Sequence, residues 1–537
     1  ASGGVNTLMF PYDISDTQAV ELTNIDTTTP GIRKSRPGVA LIASGITFGP
    51  IMALSAYQAI SAESELLAVS PGATYPNSGH LKLWSFDGTA TTWSLKGTLT
   101  GLTSATMPVQ IVVGMDLQSV SGKPYLARIF SAQQQSVSFV YDGSSLGATS
   151  GGAVVPGMFP AANMLNRCFA SSLATTSRGR VFFTAPAQFG YTGWAASSAQ
   201  NVVMGGGFRQ VVVAIHPFRN SDNIIFMADR IEAIQVFDPS LDTVAGSPLM
   251  DWNRVVIDTS IGCASQRGIA SSGEDLLFAD QYGNIRSLAR TITDSQQGVT
   301  SLPLSAPLKT YIDRINPVAL SKIVAQFHDR SVYFSFPLDT ATEPSHTFRW
   351  DVVNESWDGP YTGLFPAKSM AVCTMSNPSA SSKYQNPGLY LGAGTTTGGM
   401  VFHAEDGTSD AGLPIVFQET TKRYAGDGLE FPKFFRRIKD FYQATGSETM
   451  MVESRKDGGS YNILGYIDLT GDSPTLPLTF PFNFGGNGVV SSSFSLESFG
   501  ERCQDVQFRF TCTATSEVRH LGFTTAFHNK NFEWKVG

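Results

Sequence analysis

Carboxylates, histidines, cysteines and glycine runs are the residues of this chain that can do chemistry, and their spacing decides which chemistry. Aspartates recur at the ends of short apolar runs: Asp87, Asp142, Asp238, Asp351 and Asp406. Glycoside hydrolysis needs two carboxylates at a defined separation, and no spacing here singles out a pair. An aspartate in a tight turn has a plainer task, accepting hydrogen bonds from its own backbone two residues on. We read these five that way.

The seven histidines (His80, His216, His328, His346, His403, His520, His528) show no paired metal spacing. His346 and His403 sit on equivalent strands of a repeat, which explains them without a ligand. Gly392-Ala-Gly394 with Gly398 and Gly399 approaches a dinucleotide fingerprint, but Thr397 stands where the third glycine belongs. A glycine turn between strands accounts for it. No phosphate loop, GxSxG elbow, HExxH helix or calcium loop occurs. Cys168, Cys263, Cys373, Cys503 and Cys512 are scattered and odd in number, with no CxxC, so buried thiols from a reducing compartment are expected. Cys503 and Cys512 are the two close enough to face each other across neighbouring strands. The expectation is no catalytic residue, no metal ligand and no cofactor.

Positive charge concentrates in two places. Arg33, Lys34 and Arg36 crowd the turn Gly31–Gly38 and read by themselves as solvated. Lys433, Arg436, Arg437 and Lys439 lie in a strand-like run; strict alternation puts Lys433, Arg437 and Lys439 on one face with Phe435, and Arg436 opposite with Phe434 and Ile438. Three charges beside one ring are thin for a nucleic-acid surface. With a net charge of −7, general attraction to phosphate is not expected either. The N-terminal ASGGVNTLMF lacks the basic start and apolar run of a signal peptide, and apolar stretches such as Val211–Ile215 are too short to span a bilayer. A soluble protein is expected.

The elements that must hold these residues are mostly strands. The best formed unit is Ser331–Tyr361: Val332, Phe334 and Phe336 alternate with Tyr333 and Ser335, Pro337 stops the strand, and His346–Trp350 answers it. The turn Asp351–Glu355 leads back to Trp357, and Gly359-Pro360 closes the hairpin. Asp87 to Asp142 and Asp351 to Asp406 each span 55 residues, while 96 and 113 separate the aspartates between, near twice that. Members fit the midpoints, at Arg180–Thr184 with a turn at Tyr191–Trp194, and at Asp275–Leu288. A period of roughly 50 residues with about four strands predicts a β-propeller. Tandem sandwiches would need linkers about every 100 residues, and none is visible.

The fold expectation is all-β: an N-terminal entry segment (1–42), a β-propeller of six or seven blades (43–420), and a C-terminal β-sandwich-like domain (421–537). Lys422–Gly428 reads as the linker between the last two. The loop Pro474–Ser495, long for a compact domain, reads as an interaction loop.

The order of elements resembles the tail nozzle (hub) proteins of short-tailed double-stranded DNA phages. Asp16–Asn24 followed by the basic Gly31–Gly38 looks like the family's opening. Leu277–Gly283, Leu304–Pro307, Tyr333–Phe336 and Trp350–Trp357 match its later blades in order, and Phe435–Arg437 with Glu453–Gly458 looks like its C-terminal sandwich. The resemblance implies a structural virion protein, made in the host cytoplasm and resident in the tail. It implies a homo-oligomer, a hexamer, ringed below the portal-adaptor complex. Tail fibres would dock outside, with a needle or plug protein at the exit. Viral DNA would pass through the lumen without specific binding, and the chain would not insert into a membrane. Arg33, Lys34, Arg36, Lys433, Arg436, Arg437 and Lys439 then become candidates for a subunit or adaptor interface. The rival is a secreted propeller glycosidase or carbohydrate-binding protein. Ser85–Trp93 carries the Ser, Asp and Trp of a sialidase-type turn, but a glycine directly follows Asp87 and the other turns do not restore the pattern.

Overall fold

The computed structural model describes the chain apart from residues 1–2, 30, 48, 59–63, 73–79, 100–108, 116–124, 132–136, 151–157, 165–166, 173–178, 185–200, 206–209, 220–221, 237–251, 378, 395–397, 426–432, 444–447, 470–488, 496–502 and 530–537. The expected turns at Asp238 and Tyr191–Trp194, and most of the loop Pro474–Ser495, lie outside the described residues.

Seven antiparallel sheets follow one another. Blade one is Ala53–Tyr57, Glu65–Pro71, Leu81–Phe86 and Ser94–Leu99; blade two runs from Val109–Met115 to Leu146–Ser150, blade three from Met158–Met164 to Asn201–Val203, and blade four from Val212–Phe218 to Trp252–Asp258. Blade five has three strands, Ile269–Ser271, Leu276–Ala279 and Ile285–Ser287, and the helix Leu288–Gln297 follows directly, capped by the Ser287 hydroxyl. Blade six is Val324–His328, Ser331–Phe336, His346–Asp351 and Ser356–Tyr361. Blade seven takes Ser369–Cys373, Gly388–Gly394 and Gly399–Ala404 from late in the chain, and its outer strand Val39–Leu41 from before blade one. That pairing joins the two ends of the propeller through backbone hydrogen bonds, and Ala53–Tyr57 packs directly on Ser369–Cys373. The wheel is closed, with seven blades.

The repeated aspartates fall after the third strand of their blades. Asp87 Oδ1 accepts from the Thr89 N–H at 3.0 Å and its hydroxyl at 2.9 Å, Asp142 Oδ1 from Ser144 in the same way, and Asp351 Oδ1 from the Val353 and Asn354 N–H groups. These three perform the expected turn duty; Asp406 instead holds Lys383 and His403. In Ser331–Phe336 both faces are buried, not one. Val332, Phe334 and Phe336 join one core, and Tyr333 joins another beneath blade seven; a blade has a neighbour on each side. Trp350 and Trp357 are register partners with ring centroids 5.1 Å apart, a pair adding about 0.5–1.5 kcal/mol beyond burial.

The C-terminal part is a two-sheet sandwich that the first residues help to build. One sheet holds Glu21–Thr23, Ile415–Tyr424, Val506–Ala514, Thr449–Lys456 and Asn462–Asp468; the other holds Ile25–Asp26, Arg33–Ser35, Arg519–Asn529, Lys433–Gln443 and Val489–Ser495. Phe417, Phe508, Phe510 and Val452 of the first pack against Ile438 and Tyr442 of the second. Leu22 also pairs with Gly359 of blade six, so one nine-stranded sheet runs from the innermost strand of that blade to the far edge of the sandwich.

Three expectations change. Residues 1–42 are no separate entry segment, because their short strands pair with blade seven, blade six and both sandwich sheets. The boundary at 420/421 falls inside the strand Ile415–Tyr424, so Lys422–Tyr424 is sheet rather than linker. The strand expected over Ile285–Leu288 stops at Ser287, and Leu288 instead opens the helix Leu288–Gln297. Among the described residues no helix is long and apolar enough to cross a membrane.

Candidate functional site

The basic turn is not a solvated surface. Arg36 is 1% exposed and clamps Asp410 with two parallel bonds, NH1 to Oδ1 at 2.9 Å and NH2 to Oδ2 at 2.7 Å. Its Nε donates to Asn24 Oδ1 at 2.9 Å and NH2 also to the Thr362 carbonyl at 2.8 Å, over the Phe365 ring. Asn24 stands at φ 56°, a left-handed position that asparagine tolerates, and its amide reaches Thr362 and Val416. One guanidinium therefore ties the propeller closure to the sandwich. Arg36 is not available to a partner.

Lys34 lies 3.4 Å from Asp26, and Asp26 and Asp358 both accept from the same Arg349 NH2. Burial would raise Asp26, but the Arg349 charge and hydrogen bond, helped by the Thr28 N–H and Lys34, bring it down to about 2. Asp358 is wholly buried and burial pushes it up, against the pull of Arg349 and with a further push from Asp26. Two acids do face each other here, but across a shared arginine. A cavity of 640 Å³ opens beside them, lined by Asp26, Lys34, Arg330, Tyr333, Arg349 and Glu405 among others.

A third cluster bridges the sandwich interior. His520 presents Nδ1 to Glu419 at 2.8 Å and Nε2 to Asp440 at 2.6 Å, and Arg33 pairs with Glu419. Glu419 belongs to one sheet; His520, Asp440 and Arg33 belong to the other. All but Arg33 are at most 1% exposed. The signal for this cluster is in the sequence: Asp440 has the parity of Ile438 and Tyr442, and Glu419 that of Phe417.

The second basic group is arranged differently from strict alternation. The pairing of Lys433–Gln443 with Arg519–Asn529 skips one residue between Phe435 and Arg437, a bulge at Arg436. The bulge reverses the faces: Phe435 is buried, while Arg437 is exposed and Lys439 half-buried. Phe435 does not share their face. Arg437 donates to Ser493 and Lys439 stands 5.1 Å over Phe441. Lys433 and Arg436 are placed only as backbone. Of the seven candidates, Arg437 is exposed, Arg33, Lys34 and Lys439 are half-buried, and Arg36 is buried.

The propeller axis holds no equivalent cluster among the described residues. Arg267, just before the innermost strand of blade five, reaches across to blades one and seven, NH1 meeting the Met52 carbonyl at 3.1 Å and that of Lys368 at 2.9 Å. Nearby blades are clamped by amides: Gln110 to Ala161, and Gln266 to Ile215, each through both backbone groups. Where the innermost strands of blades seven, one and two end, a 680 Å³ cavity is lined by Tyr57, Gln58, Ser64, Tyr125, Cys373 and Thr374 with small apolar residues. Its described lining offers hydroxyl, amide and thiol groups that can hydrogen-bond. Glu65 adjoins it in sequence, buried and raised by that burial, and accepts the Tyr141 hydroxyl at 2.5 Å.

No three-residue metal grouping occurs among the described residues. All five cysteines are buried and none forms a disulfide, Cys503 and Cys512 included. Burial pushes the thiols of Cys168, Cys263, Cys373 and Cys512 up to about 12.

No protein-family model matches the chain, and no curated protein matches it. Among solved structures it is similar to Sqt1 of Saccharomyces cerevisiae, at 9% identity and a TM-score of 0.38, over 68% of this chain and 99% of that one. It is also similar to an exo-beta-1,3-galactanase of Phanerochaete chrysosporium, at 10% identity and a TM-score of 0.29, over 90% of this chain and 100% of that one.

Proposed function

We propose that this chain is a non-enzymatic structural component of a phage virion, the tail nozzle or hub of a short-tailed particle, assembled as a ring of six below the portal-adaptor complex. In this reading the wheel and sandwich form the wall of the conduit, fibres dock on its outside, a needle or plug protein closes its exit, and DNA passes without specific contacts. The observation that carries it is the nine-stranded sheet joining blade six to the sandwich through residues 21–23. A wall under load from packaged DNA must not hinge, and a continuous ladder braced by Arg36, Arg349 and His520 resists hinging. Two further features support it. The blade axis is crossed by Arg267, so a passage would lie between copies rather than through a propeller. A net charge of −7 keeps the wall from gripping phosphates, whose attraction to basic proteins is strong at low salt.

The test is particle mass in solution, together with turnover of aryl-glycosides by the same sample. A closed ring, alone or with its adaptor, and no turnover is the expected result. A monomer that hydrolyses glycosides overturns the reading in favour of the propeller-hydrolase rival.

A further inference from the structure

Residues that precede the innermost strands of the blades gather around the propeller axis. Arg267 precedes Ile269–Ser271 of blade five, Lys368 precedes Ser369–Cys373 of blade seven, and Met52 precedes Ala53–Tyr57 of blade one. The backbone of Arg267 is pinned on both sides. Its N–H donates to Ser265 Oγ at 3.2 Å, that hydroxyl donates to the Ser321 carbonyl at 3.0 Å, and the Ala325 N–H donates to the Arg267 carbonyl at 2.6 Å. The side chain crosses the wheel, and NH1 donates to the carbonyls of Met52 and Lys368. The rest of the guanidinium, its Nε–H and NH2 edge, has no hydrogen-bond partner among the described residues. Neither atom is sealed from solvent as the Nε of Arg349 is.

We propose that this end of the propeller axis binds a small oxyanion, a phosphate or a carboxylate, on the Nε–NH2 edge of Arg267. Positive charge here lacks its counterpart. The acid that bears on Arg267 is Glu343, which already lies 3.5 Å from Lys322. Lys368 is half-buried, makes no ion pair among the described residues, and has the same Glu343 and Lys322 as its charged neighbours. Arg267, Lys322 and Lys368 therefore share one carboxylate, in a chain whose net charge is −7. Burial lowers both Arg267 and Lys368 from their ordinary values, and a cation held out of water without a full counter-charge is costly. An anion at the axis removes that cost. The free edge selects its kind: two N–H groups pointing the same way match two oxygens of one phosphate or carboxylate, a geometry that lysine cannot offer. A halide presents one centre and uses the fork poorly. With NH1 and the backbone already fixed, little side-chain freedom is lost on binding. The site lies within a single copy and stands apart from the ring reading.

The experiment follows thermal unfolding of the full chain against rising inorganic phosphate, acetate or chloride at one ionic strength, which holds general screening constant. A ligand of the folded state raises the melting temperature by mass action, so phosphate or acetate should raise it and chloride should not. Whichever of the two oxyanions binds at the lower concentration names the source. Arg267→Gln keeps a donor for the carbonyls and should weaken the dissociation constant about tenfold or more, the loss of a charge-assisted pair. Arg437→Gln, on the exposed sandwich face, should leave it unchanged. A folded Arg267→Gln chain that binds as the unsubstituted one does overturns the site, and so do oxyanions that act no differently from chloride. If Arg267→Gln fails to fold, the unsubstituted chain decides with phenylglyoxal, which adds to open guanidinium groups. The bound anion should shield the peptide bearing Arg267 and leave Arg437 reactive; equal labelling of Arg267 with and without the anion overturns the proposal.

Discussion

Replacing Arg36 by Met should be the most damaging single change at the junction of wheel and sandwich. Asp410 is 3% exposed and would keep only the Leu364 N–H at 3.1 Å as a donor, while Asn24 Oδ1 would lose the Arg36 Nε–H and keep only the Thr362 N–H. Removing one member of a buried, bidentate pair costs about 3–5 kcal/mol, because the other charge stays buried. Replacing both members by apolar residues of similar volume is often neutral. Arg36→Met alone is therefore expected to lose about 4 kcal/mol, and Arg36→Met with Asp410→Leu to recover at least half of it. Urea unfolding of the intact chain, followed by tryptophan fluorescence, measures both, since Trp350 and Trp357 lie in blade six beside the junction. A loss below about 1 kcal/mol would mean that the pair is solvated and does not brace the closure. A double variant no better than the single one would refute the argument that the stranded carboxylate is the damage.

The Asp26 carboxyl, held near 2, contributes stability that is present above its unfolded value near 4 and lost as pH falls through 2. Asp26→Asn should flatten the acid limb of a urea-midpoint profile between pH 5 and pH 2, and an unchanged profile would remove Asp26 from the account. Asp358, pushed upward by burial, acts with the opposite sign: its contribution is present below the unfolded value and lost as pH rises through the folded one. Asp358→Asn should steepen the same limb. His520→Ala leaves Glu419 and Asp440 facing an empty space in the sandwich interior and should cost about 3–5 kcal/mol; a cost near zero in denaturant titration would show that the imidazole does not bridge the sheets.

The blades were legible because each is a local event. A third strand, an aspartate turn and a returning strand fall within about 20 residues, and the 55-residue spacing of Asp87 and Asp142 repeats them. Blade five hid its ending, since a Ser287-capped helix replaces the fourth strand and its aspartate. Seven could not be told from six, because the closing strand Val39–Leu41 is three residues long and lies far from its partners Phe402–Ala404. Distance in sequence also concealed the ion pairs: Arg36 reads as a solvated turn until Asp410, 374 residues on, is seen beside it. The reversal at Arg436 comes from one bulged residue, which strict alternation cannot anticipate. The burial of Asp440 and Glu419 was open to view, as acids on the apolar parity of their strands.

Electron microscopy of the purified chain with its adaptor tests the central claim most directly. A closed ring of six copies around an open lumen, each wheel and sandwich fixed in one orientation, is the predicted image. Single particles, or wheels and sandwiches at varying angles, would contradict it.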